Sequence, residues 1–352
     1  MRRYGLLGAL LVACNGGASP TDAGADGTTT SDTPGNSDSA PADSGPRCDP
    51  QGAPVDLSGV WAIRATLGVE LRGRSGSLVR LCPDPQRTTA GLLFRVEGRA
   101  DGGRLRQRFQ LCQVSLPRAR GGAGECPMTP LSIQLSPSTA LTSFLPRLML
   151  PEAVTDQVTP APCAPYRPPP FTVLLGVRSG ALMDPERSPL PAWCSPCMGA
   201  TAAQCVCRDC MTTGGMCDSR AMEGEDSDGD GSPGVTVQVS AGEAMGPLRG
   251  DAYLAFRTRP TLLGEVLSAD RVGGRVEATL EYALLGSNVT VLGAMLDTAG
   301  VVSALPEFRF VAEESAFTMR RADGASRALW DADGDGMVSC ADIIARAANF
   351  NR

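Results

Sequence analysis

The stretch Arg275-Val276-Glu277-Ala278-Thr279-Leu280-Glu281-Tyr282-Ala283-Leu284 decides the fold class. Val276, Ala278, Leu280, Tyr282 and Leu284 take every second position, with Arg275, Glu277, Thr279 and Glu281 between them. A period of two puts the apolar set on one face and the charged set on the other, the pattern of a half-buried β-strand. The same period recurs at Trp61, Ile63, Ala65 and Leu67, at Leu131, Ile133 and Leu135, and at Val235, Val237 and Val239. Asp101-Gly102-Gly103 and Gly273-Gly274 fall between such runs and suit tight hairpin turns. Short strands punctuated by Gly and Pro predict a mainly β chain, an antiparallel barrel or sandwich. Helical periodicity is confined to the last dozen residues.

The chain has 352 residues, enough for one large or two ordinary domains, and 42% of them are hydrophobic. It has no His and no Lys, so all 32 basic residues are Arg. Without imidazole there is no Ser-His-Asp triad and no His-ligated metal. A formal charge of −6 argues against nucleic acid, which needs a concentrated basic face. Thirteen Cys point to an exported chain that pairs them as disulfides.

At the N-terminus, Arg2 and Arg3 precede the apolar run Leu6 to Val12, and Leu11-Val12-Ala13-Cys14 follows in register. This resembles the lipobox of bacterial lipoproteins. The resemblance implies a signal peptide over 1–13, cleavage before Cys14 and a diacylglyceryl anchor on Cys14. With Asn15 rather than Asp after that Cys, it implies the cell envelope, at the outer membrane. The apolar run is too short to span a bilayer as a helix, so acyl chains would make the membrane attachment. Residues 14–47 consist almost entirely of Gly, Ala, Ser, Thr, Asp and Pro. They cannot bury a core and read as a disordered tether.

A β-domain is expected over 48–325, with a Cys-rich insertion at 184–225. The domain opens on Asp56-Leu57-Ser58-Gly59-Val60-Trp61, and its Gly59-x-Trp61 resembles the start of lipocalin-type barrels. That resemblance implies a Trp laid across the barrel floor and a small apolar ligand inside. Within the insertion, Cys194, Cys197, Cys205, Cys207, Cys210 and Cys217 fall close together. Three disulfides replacing a missing core are the favoured reading, with a thiolate zinc knuckle as the competitor. The CxxC at Cys194 lacks the flanks of a redox motif. Cys82 with Cys112 and Cys126 with Cys163 are the near-neighbour pairs elsewhere, although sequence alone leaves the connectivity open.

Two acidic loops carry the metal chemistry. In Asp331-Ala332-Asp333-Gly334-Asp335-Gly336-Met337-Val338-Ser339-Cys340-Ala341-Asp342, the carboxylates stand at loop positions 1, 3, 5 and 12 and Gly336 at 6. This is the oxygen-ligand spacing of an EF-hand calcium loop, because alternate Asp side chains on a tight turn converge on one point. The Met337 carbonyl and Ser339 would complete the set. Cys340 at position 10 can tether the loop to the body, and Asp342 to Asn349 reads as the following helix. Asp at position 12 resembles the dockerin variant of the loop, which implies docking of a protein partner, but the tandem second copy is missing. The region 326–352 is thus an EF-hand-like unit. Asp226, Asp228 and Asp230 begin a second such loop, yet Val237 stands at position 12 and the chain runs on into a strand.

No paired-carboxylate motif, nucleophile elbow or phosphate-cradling Gly loop is present in the sequence. The expectation is therefore a membrane-anchored, non-enzymatic β-domain with structural calcium. The alternatives are a carrier of an apolar small ligand, a protein-docking module and, least favoured, a carboxylate-based hydrolase.

Overall fold

The computed structural model describes residue 48 and residues 50–74, 80–122, 131–148, 150–193, 224–241, 248–291, 293–296, 300–301 and 305–351. Cys14, the tether 14–47 and Cys194, Cys197, Cys205, Cys207, Cys210 and Cys217 lie outside these described residues.

The first half of the chain supplies β1 (Gly59–Arg72), β2 (Arg80–Leu81), β3 (Gln86–Asp101), β4 (Arg104–Ser115), β5 (Arg118–Gly122) and β6 (Leu131–Pro137). Short strands β7 (Ala153–Thr155), β8 (Pro165–Tyr166) and β9 (Val173–Leu175) follow. The second half supplies β10 (Val235–Ala241), β11 (Leu248–Ser268), β12 (Arg271–Ser287), β13 (Thr290–Val291), β14 (Ala294–Met295) and β15 (Glu307–Arg321). Among the described residues the short helices include α1 (Thr139–Phe144), between β6 and β7, and α2 (Arg327–Trp330) and α3 (Cys340–Ala345), which follow β15.

All these strands belong to one antiparallel sheet whose main path runs β2-β5-β6-β10-β11-β12-β15-β1-β3-β4-β7, with β8, β9 and β13 pairing with β11 and β14 with β13. The sheet curls into a half-barrel, so the expected mainly β, antiparallel architecture is what forms. Two meanders, β1-β3-β4 and β10-β11-β12, lie on either side of β15, which pairs with β12 along one edge and β1 along the other. The curl brings β5 back towards β3, and β6 towards β4. The path ends on strands of two and three residues, β2 and β7, and β7 pairs with only Leu105–Gln107 of β4.

The period of two places the core. Trp61, Ile63, Ala65 and Leu67 of β1 face the concave side, where they join Phe94, Val96, Leu105, Phe109 and Phe317. Full burial of such side chains contributes roughly 1.5–3 kcal/mol each. A one-residue slip of β1 would turn the whole set outward. At the start of β1, the Arg321 guanidinium lies 4.6 Å from the Trp61 ring centroid and donates to the carbonyl oxygens of Ser58, at 3.2 Å, and Asp56. It also donates to Asp323, whose other oxygen accepts the Val60 N–H. The Trp61 indole N–H donates to the Leu57 carbonyl, so its one polar group is satisfied at 0% exposure.

Both predicted glycine turns can be compared with the sheet. Gly102 and Gly103, at φ of 56° and 78°, form the two-residue β3–β4 reversal. Gly273-Gly274 does not: β11 reverses into β12 between Ser268 and Arg271, and the doublet lies inside β12. Gly274 pairs with Gly264, and a Cβ on it would sit 2.3 Å from the Leu263 carbonyl oxygen. A Cβ on Gly264 would sit 2.5 Å from the Phe317 ring. The doublet answers to the close approach of two strands beneath a phenylalanine, which no local pattern announces.

The C-terminal unit covers the convex side. Trp330, Val338, Ile343 and Phe350 pack with Ala62 of β1, Leu93 of β3 and Cys112 of β4, and Ile344 and Ala347 lie against the rim. The Trp330 and Phe350 rings meet edge-on at 5.0 Å between centroids. A disulfide from Cys112 to Cys340, with Cα atoms 5.0 Å apart, ties loop position 10 to β4. A second joins Cys48 to Cys163. The Cys82–Cys112 and Cys126–Cys163 pairings are therefore wrong: sheet order and the docked C-terminal unit, rather than nearness in sequence, choose the partners. Cys82 is also disulfide-bonded. The last helix begins at Cys340 rather than Asp342 and ends at Ala345, with a 3₁₀ turn over Ala347–Asn351. Helix α1 has no counterpart in the sequence reading. Its one local signal is Ser138, whose hydroxyl accepts the Leu141 N–H as an N-cap.

Candidate functional site

Three features of this frame bear on function: the two acidic loops and the interior of the half-barrel. In the C-terminal loop, Asp331 accepts the N–H groups of Gly334 and Gly336, Asp333 that of Asp335, and Asp335 that of Met337. Gly334 and Gly336 hold φ of 78° and 84°, the left-handed values that wind the loop tightly enough for alternate side chains to meet. Ligand oxygens of Asp331, Asp333 and Asp335 lie within 4.8 Å of one another. Two oxygens on one calcium ion, each at about 2.3–2.6 Å, can be no more than roughly 5 Å apart. The triad therefore fits a single hard cation.

Asp342 and Ser339 are placed differently from the triad. They form a capping box at the start of α3, with Asp342 accepting the Ser339 hydroxyl at 2.6 Å and the Ser339 N–H at 2.8 Å. The other Asp342 oxygen accepts the Ala332 N–H at 2.9 Å. Burial alone would raise this carboxyl; the donors from Ser339, Ala332 and Asp333 outweigh it and hold it below the usual carboxylate value. Asp342 thus closes the loop back on its second residue while α3 anchors to the sheet. The Met337 side chain is exposed. The apolar side of the unit faces the protein's own β1, β3 and β4.

The second loop repeats this backbone pattern 105 residues earlier. Asp226 accepts the N–H groups of Gly229 and Gly231, and Asp230 that of Ser232. Gly229 and Gly231 stand at φ of 77° and 86°. Oxygens of Asp226, Asp228 and Asp230 again lie within 4.8 Å of one another. The loop then enters β10, as the sequence pattern indicated. The two loops differ in burial: Asp226 and Asp230 are exposed, but Asp228 is only 6% exposed. Burial, reinforced by the charges of Asp230 and Asp226, pushes the Asp228 carboxyl up against the lowering effect of the Thr236 N–H.

The interior of the half-barrel is apolar and incompletely filled. A cavity of about 160 Å³ lies between Leu92, Phe94 and Leu111 on one wall and Leu254, Phe256 and Leu280 on the other. Phe308 and Phe310 of β15 line it, and Leu141 and Leu145 cap it from α1 and the turn after it. Thr258 and Tyr282 carry the lining's only side-chain polar atoms among the described residues. Both hydroxyls donate to backbone carbonyls, of Thr279 and Pro306. The walls therefore present hydrocarbon and ring edges. Burial pushes the Tyr282 phenol up to about 12. Deeper in the core, the Tyr166 hydroxyl donates to Gln107 at 3.1 Å, and burial raises that phenol beyond the ordinary range.

No family model matches this chain, and no curated protein or solved structure is significantly similar to it.

Proposed function

We propose that the protein is a lipid-anchored, exported, non-catalytic β-domain in which the C-terminal Asp loop holds a structural calcium ion. The observation that carries the metal reading is the convergence of Asp331, Asp333 and Asp335 oxygens within 4.8 Å, in a loop wound by two left-handed glycines. Calcium suits three carboxylates with room for carbonyl and water oxygens; no nitrogen or sulfur donor accompanies them. The Cys112–Cys340 bond and the buried face of α3 hold the loop in one arrangement, which favours a staple over a sensor. The lipobox ending at Cys14 supports the anchor and the cell-envelope location. Calorimetric titration of the whole mature chain, compared with Asp331→Ala/Asp335→Ala, tests the metal reading. The parent should gain calcium-dependent heat and a higher melting temperature that the variant lacks. No heat and no shift in either protein would remove calcium from this loop.

A second reading, carriage of an apolar small molecule, is favoured by the cavity with its hydrocarbon lining. Native mass spectrometry after gentle purification should then show a retained apolar compound. A crystal structure with side chains filling the interior and no ligand bound would sink that reading.

A further inference from the structure

Asp228 presents a problem that its loop does not solve. Its carboxylate is almost wholly withdrawn from water, yet no Arg pairs with it among the described salt bridges. Its Oδ2 accepts the Thr236 N–H at 3.0 Å and the Ser138 hydroxyl at 3.4 Å. Its Oδ1 is buried without any hydrogen-bond partner. A buried charge left this way is unfavourable unless something positive meets it. The two nearest charges are Asp226 and Asp230, both negative, so the local field makes the cost larger.

We propose that Asp226, Asp228 and Asp230 form a second site for a hard divalent cation, and that this ion locks the seam between α1 and β10 that caps the apolar cavity. The choice of calcium rests on the preceding reading for the C-terminal loop, with which this loop shares its backbone pattern. Convergence within 4.8 Å meets the same distance limit for one ion. The buried, unpartnered Oδ1 is the independent sign that a ligand belongs there. The position of Asp228 links the ion to the cavity. Ser138, which it touches, is the N-cap of α1, and its N–H donates to the Thr236 carbonyl at the start of β10. Leu141 of α1 and Val235 and Val237 of β10 all line the cavity. The Thr236 hydroxyl also donates to Asp230 at 2.5 Å, so both strand and helix hang on this carboxylate cluster. With the ion present, the negative charges are balanced and the α1 cap is held. Without it, repulsion among three carboxylates works against the same seam.

The test is calcium titration of the full chain in four forms: parent, Asp331→Ala/Asp335→Ala, Asp228→Asn, and the three substitutions combined. The expected stoichiometry is two ions in the parent, one in each single-loop form and none in the combination. One ion in the parent that disappears with Asp331→Ala/Asp335→Ala would overturn this proposal and leave the C-terminal reading standing. One ion that disappears with Asp228→Asn would do the reverse. Melting in chelator provides a second readout. Asp228→Asn keeps the acceptor for Thr236 but removes the buried charge, so in chelator it should melt no lower than the parent. A variant equally destabilised with and without calcium would show Asp228 to be a structural acceptor alone and refute the site. Hydrogen exchange over residues 138–145 should slow with calcium in the parent and stay unchanged in Asp228→Asn; equal rates in the parent with and without calcium would refute the lock.

Discussion

Removing the Cys112–Cys340 disulfide, as Cys112→Ala/Cys340→Ala, tests how the C-terminal unit is held. The bond closes a loop with a sequence separation of 228. The chain-entropy relation gives a denatured-state restriction of about 18 cal/mol/K for a loop this long, or roughly 5 kcal/mol at 25 °C. The Cys48–Cys163 bond, left in place, does not lower this figure, because the route from Cys112 to Cys340 through it is no shorter than the direct one. Residual structure in the denatured chain lowers the realised value, so a loss of about 2–5 kcal/mol is expected. The two sulfurs also sit in the cluster of Ala62, Leu93, Val338 and Ile343, and alanine leaves voids there. Urea unfolding followed by tryptophan fluorescence measures the loss, since Trp330 lies in the C-terminal unit and Trp61 in the main core. The variant should show an early transition as Trp330 and Phe350 leave the convex face, followed by unfolding of the half-barrel. A single transition within about 1 kcal/mol of the parent would refute the reasoning, because packing alone would then hold the unit.

Three further outcomes follow from the packing. Gly274→Ala should cost about 3 kcal/mol, the upper end for overpacking, because its Cβ meets the Leu263 carbonyl oxygen at 2.3 Å; an unchanged thermal melt would contradict the reading of the doublet. Arg321→Met should lower stability by about 2–3 kcal/mol, through the carbonyl oxygens of Ser58 and Asp56 left without that donor and the lost stacking on Trp61, and should shift Trp61 emission. In an alkaline titration read at the phenolate band, Tyr282 should ionise near 12 and Tyr166 later still. Both phenols have folded values above the free one, so their contribution to stability is complete below about pH 10 and fades as pH rises through the folded values. Ionisation of every tyrosine near pH 10 in a protein that remains folded would contradict their burial.

What was legible in the sequence was what is local. The alternation at Val276 to Leu284 and at Trp61 to Leu67 named the strands and their inner faces, because period two acts within each segment. The Asp triads were legible for the same reason: carboxylates and left-handed glycines in one short loop specify each other. Gly273-Gly274 misled because the reason for it, Gly264 and the ring of Phe317, comes from other strands. The disulfides misled because Cys340 reaches Cys112 only once the C-terminal unit has docked on β4. Helix α1 was missed because it is six residues long, too short for a period of 3.6 to register. The burial of Asp228 was invisible for a related reason, since α1 and β10 together remove it from water.

The place of β15 between the two meanders has a consequence for how the chain is made. Val60 and Asp323, whose carboxylate accepts the Val60 N–H, are 263 residues apart. The β1–β15 pairing joins segments from opposite ends of the domain, so β1 gains its second partner strand late in folding. The β11–β12 hairpin and the β3–β4 hairpin can zip up locally meanwhile, but neither covers the free edge of β1. During that interval the apolar stripe of β1 stands half-paired, a target for holding chaperones and for aggregation. The slow step of assembly is then the arrival of one late strand, and until β15 docks the two meanders are joined through the β6–β10 pairing while one edge of β1 stays open.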